Sequence, residues 1–332
     1  MSPRPTLEDV ARAAGVSRSA VSRVVNDQPG VTSPVRQRVW RVVRELGYRP
    51  DPVARALASG QADVIDVIDV IDIVIVDDDD FAMSANPHYA RVVAGVSGAL
   101  GDTGARLRVR RVSRRGTDVL LTGPGPDRSL GALLVNVSPE LARQLRAVYG
   151  RVVSAGRSAP GVPYFEPDNT GGIRAAVHHL YRGGRRRIAA IDGPPHNPCA
   201  VDRRTAYLDA VRELGLEPIS GPGDFTRATA LRRTRELLRA DPDIDAVVAA
   251  CDLTAAGVLQ ALAESGRRVP DDVAVVGFDD SVLAASASVP LTSVASPVEA
   301  IAAAATRALL GAGPGHEGRV RLPVSLSVRS SS

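Results

Sequence analysis

Arg18, Ser19, Ser22 and Arg23 are the first residues along the chain whose types and spacing can do chemistry. On a helix they share one face, with Ala20, Val21, Val24 and Val25 turned inward. An arginine fork donates to a guanine edge and a serine hydroxyl bonds to bases or phosphates, so this face can read DNA in the major groove. The plain alternative is a solvated helix face. Other reactive-looking groups are arranged less productively. Asp77-Asp78-Asp79-Asp80 lacks the alternate-position spacing of a calcium loop and reads as a solvated acidic loop. His178-His179 and His196 with Cys199 have no second pair within reach to hold zinc. All 41 basic residues are arginine, which removes lysine Schiff bases and a Walker phosphate loop. No nucleophile with its base and no Gly-rich dinucleotide turn occurs, so no catalytic residue, cofactor or metal is expected.

The elements that must position Arg18 to Arg23 are legible. Thr6 can cap a first helix with Asp9 three residues on, a form of capping box, and Leu7, Val10, Ala11 and Ala14 fall on one face. Gly15 stops that helix and Ser17 can cap a second over about residues 18–25, which makes a helix-turn-helix. A third helix is expected from Ser33 as cap and Pro34 as first residue to Gly47, burying Val35, Val39, Val42, Val43 and Leu46. Asp51 to Gly60 reads as a short helix, marginal alone in water. Leu57, exposed on this basic segment, could wedge into a minor-groove step, or the segment could be a plain linker helix.

At 332 residues and 44% hydrophobic, the chain suits two or three folded domains. No apolar stretch approaches the roughly 18 residues of a membrane span, and the start has no apolar signal core. The cytoplasm is the expected compartment. Residues 1–60 hold ten arginines against five acids, net +5, while the rest carries net −1. A basic head on a neutral body fits an N-terminus that meets a polyanion. From residue 61 short apolar runs alternate with helical stretches, with strands expected at 71–76, 107–112, 132–135, 151–154, 188–191, 246–249 and 273–276. That pattern argues for parallel sheets with crossover helices, in which ligands sit beyond the carboxyl ends of the strands.

Thr6-Leu7-Glu8-Asp9-Val10-Ala11 to Val21-Ser22-Arg23-Val24-Val25-Asn26, Gly47-Tyr48-Arg49-Pro50 and Ala54 to Leu57 together resemble the lactose-repressor (LacI/GalR) family. Later landmarks keep the same order: Asn86-Pro87-His88-Tyr89-Ala90, Asp168 to Gly172, Asp192-Gly193-Pro194, Gly223-Asp224-Phe225, Cys251-Asp252-Leu253 and Gly277-Phe278-Asp279-Asp280. The resemblance implies an α-helical helix-turn-helix head plus an α/β periplasmic-binding-protein-like sensor of two parallel-sheet subdomains. It implies a head and hinge over residues 1–60 and a sensor over 61–332. Within the sensor, subdomain 1 would take about 61–160 and 292–318, and subdomain 2 about 161–291 and 319–332. Arg18, Ser19 and Arg23 would occupy base-reading positions. Thr6, Ser17, Ser22, Asn26 and Arg36 would complete the DNA-facing set of the head, with Ala54, Arg55 and Leu57 in the hinge.

In the sensor the resemblance implies effector contacts from Asp279, Arg203, Phe225, His88 and Tyr89, with Asn136 and Cys251 nearby. A carboxylate accepts from vicinal hydroxyls, a guanidinium donates a fork, and an aromatic face covers a sugar ring. Taken singly, Asp279 could instead be a helix cap, Arg203 a surface ion pair and Phe225 core. The implied function is a transcriptional regulator, a homodimer on a pseudo-palindromic operator, gated by a small molecule such as a sugar. The three-residue repeat from Asp63 to Asp72 departs from the family, and only one copy can belong to a strand. Val112 to Gly131 is too broken for the family's long second helix. An exported sugar-binding protein or an enzyme are the competing classes, opposed by the basic head and the missing signal and catalytic groups.

Overall fold

Thr6 and Asp9 close a reciprocal capping box on α1 (Leu7–Ala14): the Thr6 amide donates to Asp9 Oδ2 at 2.9 Å and the Asp9 amide to Thr6 Oγ1 at 3.3 Å. Gly15 ends the helix at φ 64°, a left-handed conformation that favours glycine. α2 (Arg18–Val25) follows, with the Ala20 amide donating to Ser17 Oγ at 3.2 Å. α3 (Ser33–Leu46) takes its first turn from the Thr32 carbonyl, which accepts from the Arg36 amide at 3.0 Å, so Ser33 is already helical rather than the cap. Val10, Ala11, Ala14, Val21, Val24, Val25, Val39, Val42 and Val43 form one buried core. Leu46 departs from its expected place: it is 39% exposed, one turn past the Val39–Val43 stretch that enters the core.

The structure is a computed structural model that describes residues 5–25, 30–46, 48, 69–78, 82–101, 103–122, 129–311 and 318–332. The chain divides into two compact units, Met1–Val67 and Ile68–Ser332. The expected contacts Asn26, Ala54, Arg55 and Leu57 lie outside the described residues, as does most of the three-residue repeat.

The second unit contains two six-stranded sheets. In the first, β1 (Val70–Val76), β2 (Arg106–Val112), β3 (Ser129–Val135), β4 (Val152–Ala155) and β5 (Tyr164–Pro167) are joined by the late strand β11 (Arg319–Leu322), all parallel. The second sheet contains β6 (Ile188–Ile191), β7 (Ile219–Gly221), β8 (Ala246–Ala249), β9 (Ala274–Asp279), β10 (Thr292–Ala295) and β12 (Ser325–Ser327); only β12 runs antiparallel. One copy of the repeat, Val70-Ile71-Asp72, enters β1, and its fully buried Asp72 takes a bidentate pair from Arg108 at 2.6 and 2.9 Å.

The chain passes between the sheets after β5, after β10 and after β11. The expected boundaries at 160, 292 and 318 therefore shift by several residues: β10 belongs to the second sheet, β5 and β11 to the first. The cause is chemical. β5 and β11 carry Glu166 and Arg321 in register, so neither reads as an apolar run. α4 (Ala82–Ala85) and α5 (Pro87–Leu100) follow β1, and between β2 and β3 the described helices are a single 3-10 turn, Arg114–Gly116, and the short α6 (Asp118–Thr122). α7 (Pro139–Tyr149), α8 (Asn169–Arg182), α9 (Pro198–Glu213), α10 (Arg227–Ala240), α11 (Asp252–Glu264), α12 (Val282–Ser286) and α13 (Val298–Leu309) complete the layers. α13 packs on α5 at Gly95, where a Cβ would lie 2.3 Å from the Glu299 carbonyl.

Candidate functional site

In the head, Arg18, Ser19 and Arg23 are exposed on α2 and Ser22 is half-buried, while Val21, Val24 and Val25 are buried. The arginine forks stand on the solvent face of the second helix, where a groove can reach them. Thr6 and Ser17 serve as helix caps, and Arg36 is half-buried in the first turns of α3.

In the second unit the carboxyl ends of the strands of both sheets open onto one cavity of about 140 Å³. At on the order of 10–15 Å³ for each ordered water, that is room for a sugar ring. His88, Tyr89, Asn136, Arg203, Phe225, Cys251 and Asp279 all line it, with Asp77, Arg114, Asn197 and Cys199 among their neighbours. Asp77 follows β1, Asn136 follows β3, Cys251 follows β8 and Asp279 ends β9, so the topology delivers them to one place.

Arg203 on α9 is 8% exposed and fixed on three sides. Its Nε donates to Asn169 Oδ1 at 2.8 Å, its Nη1 to the Ala250 carbonyl at 2.6 Å, and its plane lies 3.6 Å over the Phe278 ring. Nη2 stands 3.7 Å from Asp279 Oδ1, a loose approach that leaves the carboxylate facing the cavity. Asp279 holds φ 102°, Asn136 φ 57° and Phe225 φ 66°. Left-handed backbone at non-glycine residues costs energy, about 1–3 kcal/mol each, and clusters where strain serves a site. Phe225 reaches its place because Gly193 has no side chain: a Cβ there would be 2.4 Å from Phe225 Cε1.

The remaining lining groups are partly committed. The Tyr89 hydroxyl donates to Asp77, and burial with the Asp77 charge raises its pKa strongly. Burial lowers His88, opposed by Asp279, so the ring is neutral near neutral pH. Cys251 is buried with its thiol 3.3 Å from Thr254 Oγ1, and burial pushes it up to about 12. Asn136 donates to the Val76 carbonyl at 2.7 Å and accepts from Asn197 Nδ2 at 2.7 Å across the cleft. Arg114 meets His196 across the same gap.

Sequence reasoning missed Arg91. From α5 it grips Glu299 at 2.6 and 2.7 Å and donates to the Asp279 carbonyl at 2.7 Å and to the Ser296 carbonyl at 2.9 Å, the latter where the chain passes between the sheets after β10. The available signal was its place three residues after His88 on a cavity-facing helix. Phe278 and Asn169, which hold Arg203 flat, were visible only as parts of longer motifs. Among the described residues no group of three or more His, Cys, Asp or Glu is placed to hold a metal, and no helix is long and apolar enough to cross a membrane.

Residues 6–51 match the family model of bacterial regulatory proteins, lacI family, and residues 177–332 that of the periplasmic binding protein-like domain. The HTH-type transcriptional regulator CelR of Thermobifida fusca is 39% identical over 311 residues, spanning 89% of this chain and 88% of that protein. The ribose operon repressor of Bacillus subtilis is 28% identical over 98% of both chains. Among solved structures, the CelR–cellobiose complex superposes with a TM-score of 0.74 at 34% identity over 99% of this chain and 100% of that one. The lac repressor dimer bound to operator and the anti-inducer ONPF gives 0.69 at 27% identity over 99% of each. These relatives are regulators rather than enzymes, and the head, the paired sheets and the cavity between them have their counterparts in one family: the chain belongs to the LacI family of bacterial transcriptional regulators.

Proposed function

We propose that the chain is a cytoplasmic, homodimeric repressor that binds a pseudo-palindromic operator through α2 and changes its operator affinity when an uncharged sugar enters the cleft. The observation that carries this reading is the Arg203–Asp279 pair. A flat guanidinium and a nearly free carboxylate face one cavity, with the Phe225 ring on its wall. Carboxylate and guanidinium suit vicinal hydroxyls and ring oxygens, and an aromatic face suits the apolar face of a pyranose. Likeness to a regulator solved with cellobiose supports the ligand class. Arg18, Ser19 and Arg23 are the base-reading candidates, and Arg36 with the hinge residues Arg55 and Leu57 the phosphate and minor-groove candidates.

Calorimetry with a panel of mono- and disaccharides, alongside operator binding by fluorescence anisotropy, tests it. Asp279→Asn is expected to weaken the sugar on the order of a hundredfold, at roughly 1.5–3 kcal/mol for each charged hydrogen bond lost, while operator affinity without sugar stays unchanged. Equal sugar binding by parent and variant would remove Asp279 from the site; no binding of any sugar by the parent would remove the ligand class.

A further inference from the structure

Arg157 and Asp202 meet across the cleft, outside the cavity. Arg157 follows β4 in the first subdomain, and Asp202 stands on α9 in the second, one residue before Arg203. Arg157 Nη2 donates to Asp202 Oδ1 at 2.5 Å, with the two side chains 43% and 21% exposed. Two other contacts hold the same helix. Asn197, its cap, donates to Asn136 in the first subdomain at 2.7 Å. Cys199 packs on Gly156 so closely that a Cβ there would be 3.2 Å from its sulfur. The first turns of α9 are therefore docked on the first subdomain, and Arg203 is presented to the cavity by a helix whose position that docking sets.

Beside the ion pair lies Glu166 on β5, 2% exposed. Arg321 Nη2 donates to its Oε1 at 3.2 Å, while its Oε2 is buried with no partner. Burial raises the Glu166 carboxyl, Arg321 and then Arg157 oppose that, and the Asp202 charge adds to it, so the four groups share one electrostatic neighbourhood. A buried, unpaired carboxylate oxygen is uncommon and calls for an explanation. A second state in which it gains a partner supplies one.

We propose that Arg157 is a positioning residue that acts as a two-position latch: with the cleft shut it holds Asp202 and so docks α9, and when α9 withdraws it turns to the unpartnered oxygen of Glu166. The proposal rests on the reading of the cleft as the effector site, and it adds that the effector response is tuned by residues that never touch the effector. The latch shifts the balance between open and shut states, which a ligand selective for the shut state then draws upon.

Cys199 reports the state without any ligand, because Gly156 packs against its half-buried thiol when α9 is docked. The full chain is treated with iodoacetamide and the alkylation rate of Cys199 is followed by peptide mass spectrometry, with Cys251 as a reference for local unfolding. Asp202→Ala is expected to raise the Cys199 rate about two- to fivefold, the range of a partly exposed ion pair. Glu166→Gln is expected to lower it, since the open state loses its acceptor. In an Arg157→Ala background neither change has further effect. Cellobiose affinity moves the opposite way to the alkylation rate. The latch is overturned if Asp202→Ala leaves the rate unchanged, if Glu166→Gln moves it in the same direction as Asp202→Ala, or if both effects persist without Arg157. Should Glu166→Gln fail to fold, as read by circular dichroism, the Asp202→Ala and Arg157→Ala cycle decides alone. A parent that binds no sugar sinks the effector reading while the alkylation rates still judge the latch.

Discussion

Arg203 is held by shape as much as by charge. One nitrogen reaches Asn169, another the Ala250 carbonyl, and the plane covers Phe278. A lysine ammonium is a point charge that cannot make these contacts together. Arg203→Lys is therefore expected to keep the charge and yet lose sugar affinity by about tenfold or more, at about 1.5 kcal/mol for a charged hydrogen bond, as read by calorimetry. Undiminished affinity would show that charge alone suffices. Asp252 carries a pH prediction. It is 2% exposed beneath Asp279, accepts from Ser293 Oγ and the Ser281 amide at 2.6 Å each, and burial followed by the Asp279 charge pushes its pKa to about 7. A carboxyl raised in the folded state binds its proton more tightly there than in the unfolded chain. Its contribution is complete below the ordinary value of 3.8 and is lost as pH rises to about 7. The Tm of the parent relative to Asp252→Asn should accordingly fall between those pH values and level off above. Asn carries a constant penalty where its amide faces the Ser281 N–H, so only the slope is diagnostic, and a flat difference would refute the shifted carboxyl.

Two packed helices of the first subdomain carry the Arg91 bridge to the second. α5 and α13 touch at Gly95, and the same stretch of α13 supplies Glu299 to Arg91. Gly95→Ala would drive a methyl into the Glu299 backbone, for which overpacking typically costs 1–3 kcal/mol. The variant should melt several degrees lower and show a weaker coupling between sugar and operator, measured as the ratio of operator affinities with and without sugar. An unchanged Tm would mean that the helices part freely. The elements that were legible in the sequence share a property: β1, β3, β6 and β8 are apolar runs, and α1 to α3 carry their own caps and stops. β5 and β11 were not legible because Glu166 and Arg321 satisfy each other only once both strands are in place. Arg203 and Asp279 were named only through the family resemblance, and both line the cavity. That Phe278 and Asn169 hold Arg203 flat and that Arg91 holds the Asp279 carbonyl is information that exists only in three dimensions.

At the scale of the whole molecule, the basic charge is concentrated in residues 1–60, net +5, while the sensor is close to neutral. Operator affinity must then come from the heads, and its salt dependence counts the phosphates they neutralise, with log K falling by roughly 0.9 for each contact per log unit of salt. A dimer that seats both heads on a palindrome makes twice the contacts of one head on a half-site, so its slope should be about double. If the effector acts by moving the heads out of register, sugar-saturated protein on the full operator should show the shallower, half-site slope. If it acts by loosening every contact equally, the steep slope should persist at lower affinity. Arg18→Ala separates the kinds of contact further: it should flatten the base preference at one position in a selection from random DNA, by about 1–3 kcal/mol of discrimination, whereas Arg36→Ala should weaken all sequences alike and reduce the slope by about one contact. Anisotropy titrations from 50 to 300 mM salt, on full and half operators with and without cellobiose, are expected to give about the half-site slope when sugar is bound. Equal slopes on the full and half operators in the absence of sugar would mean that a single head binds, and would overturn the dimeric reading together with the mechanism built on it.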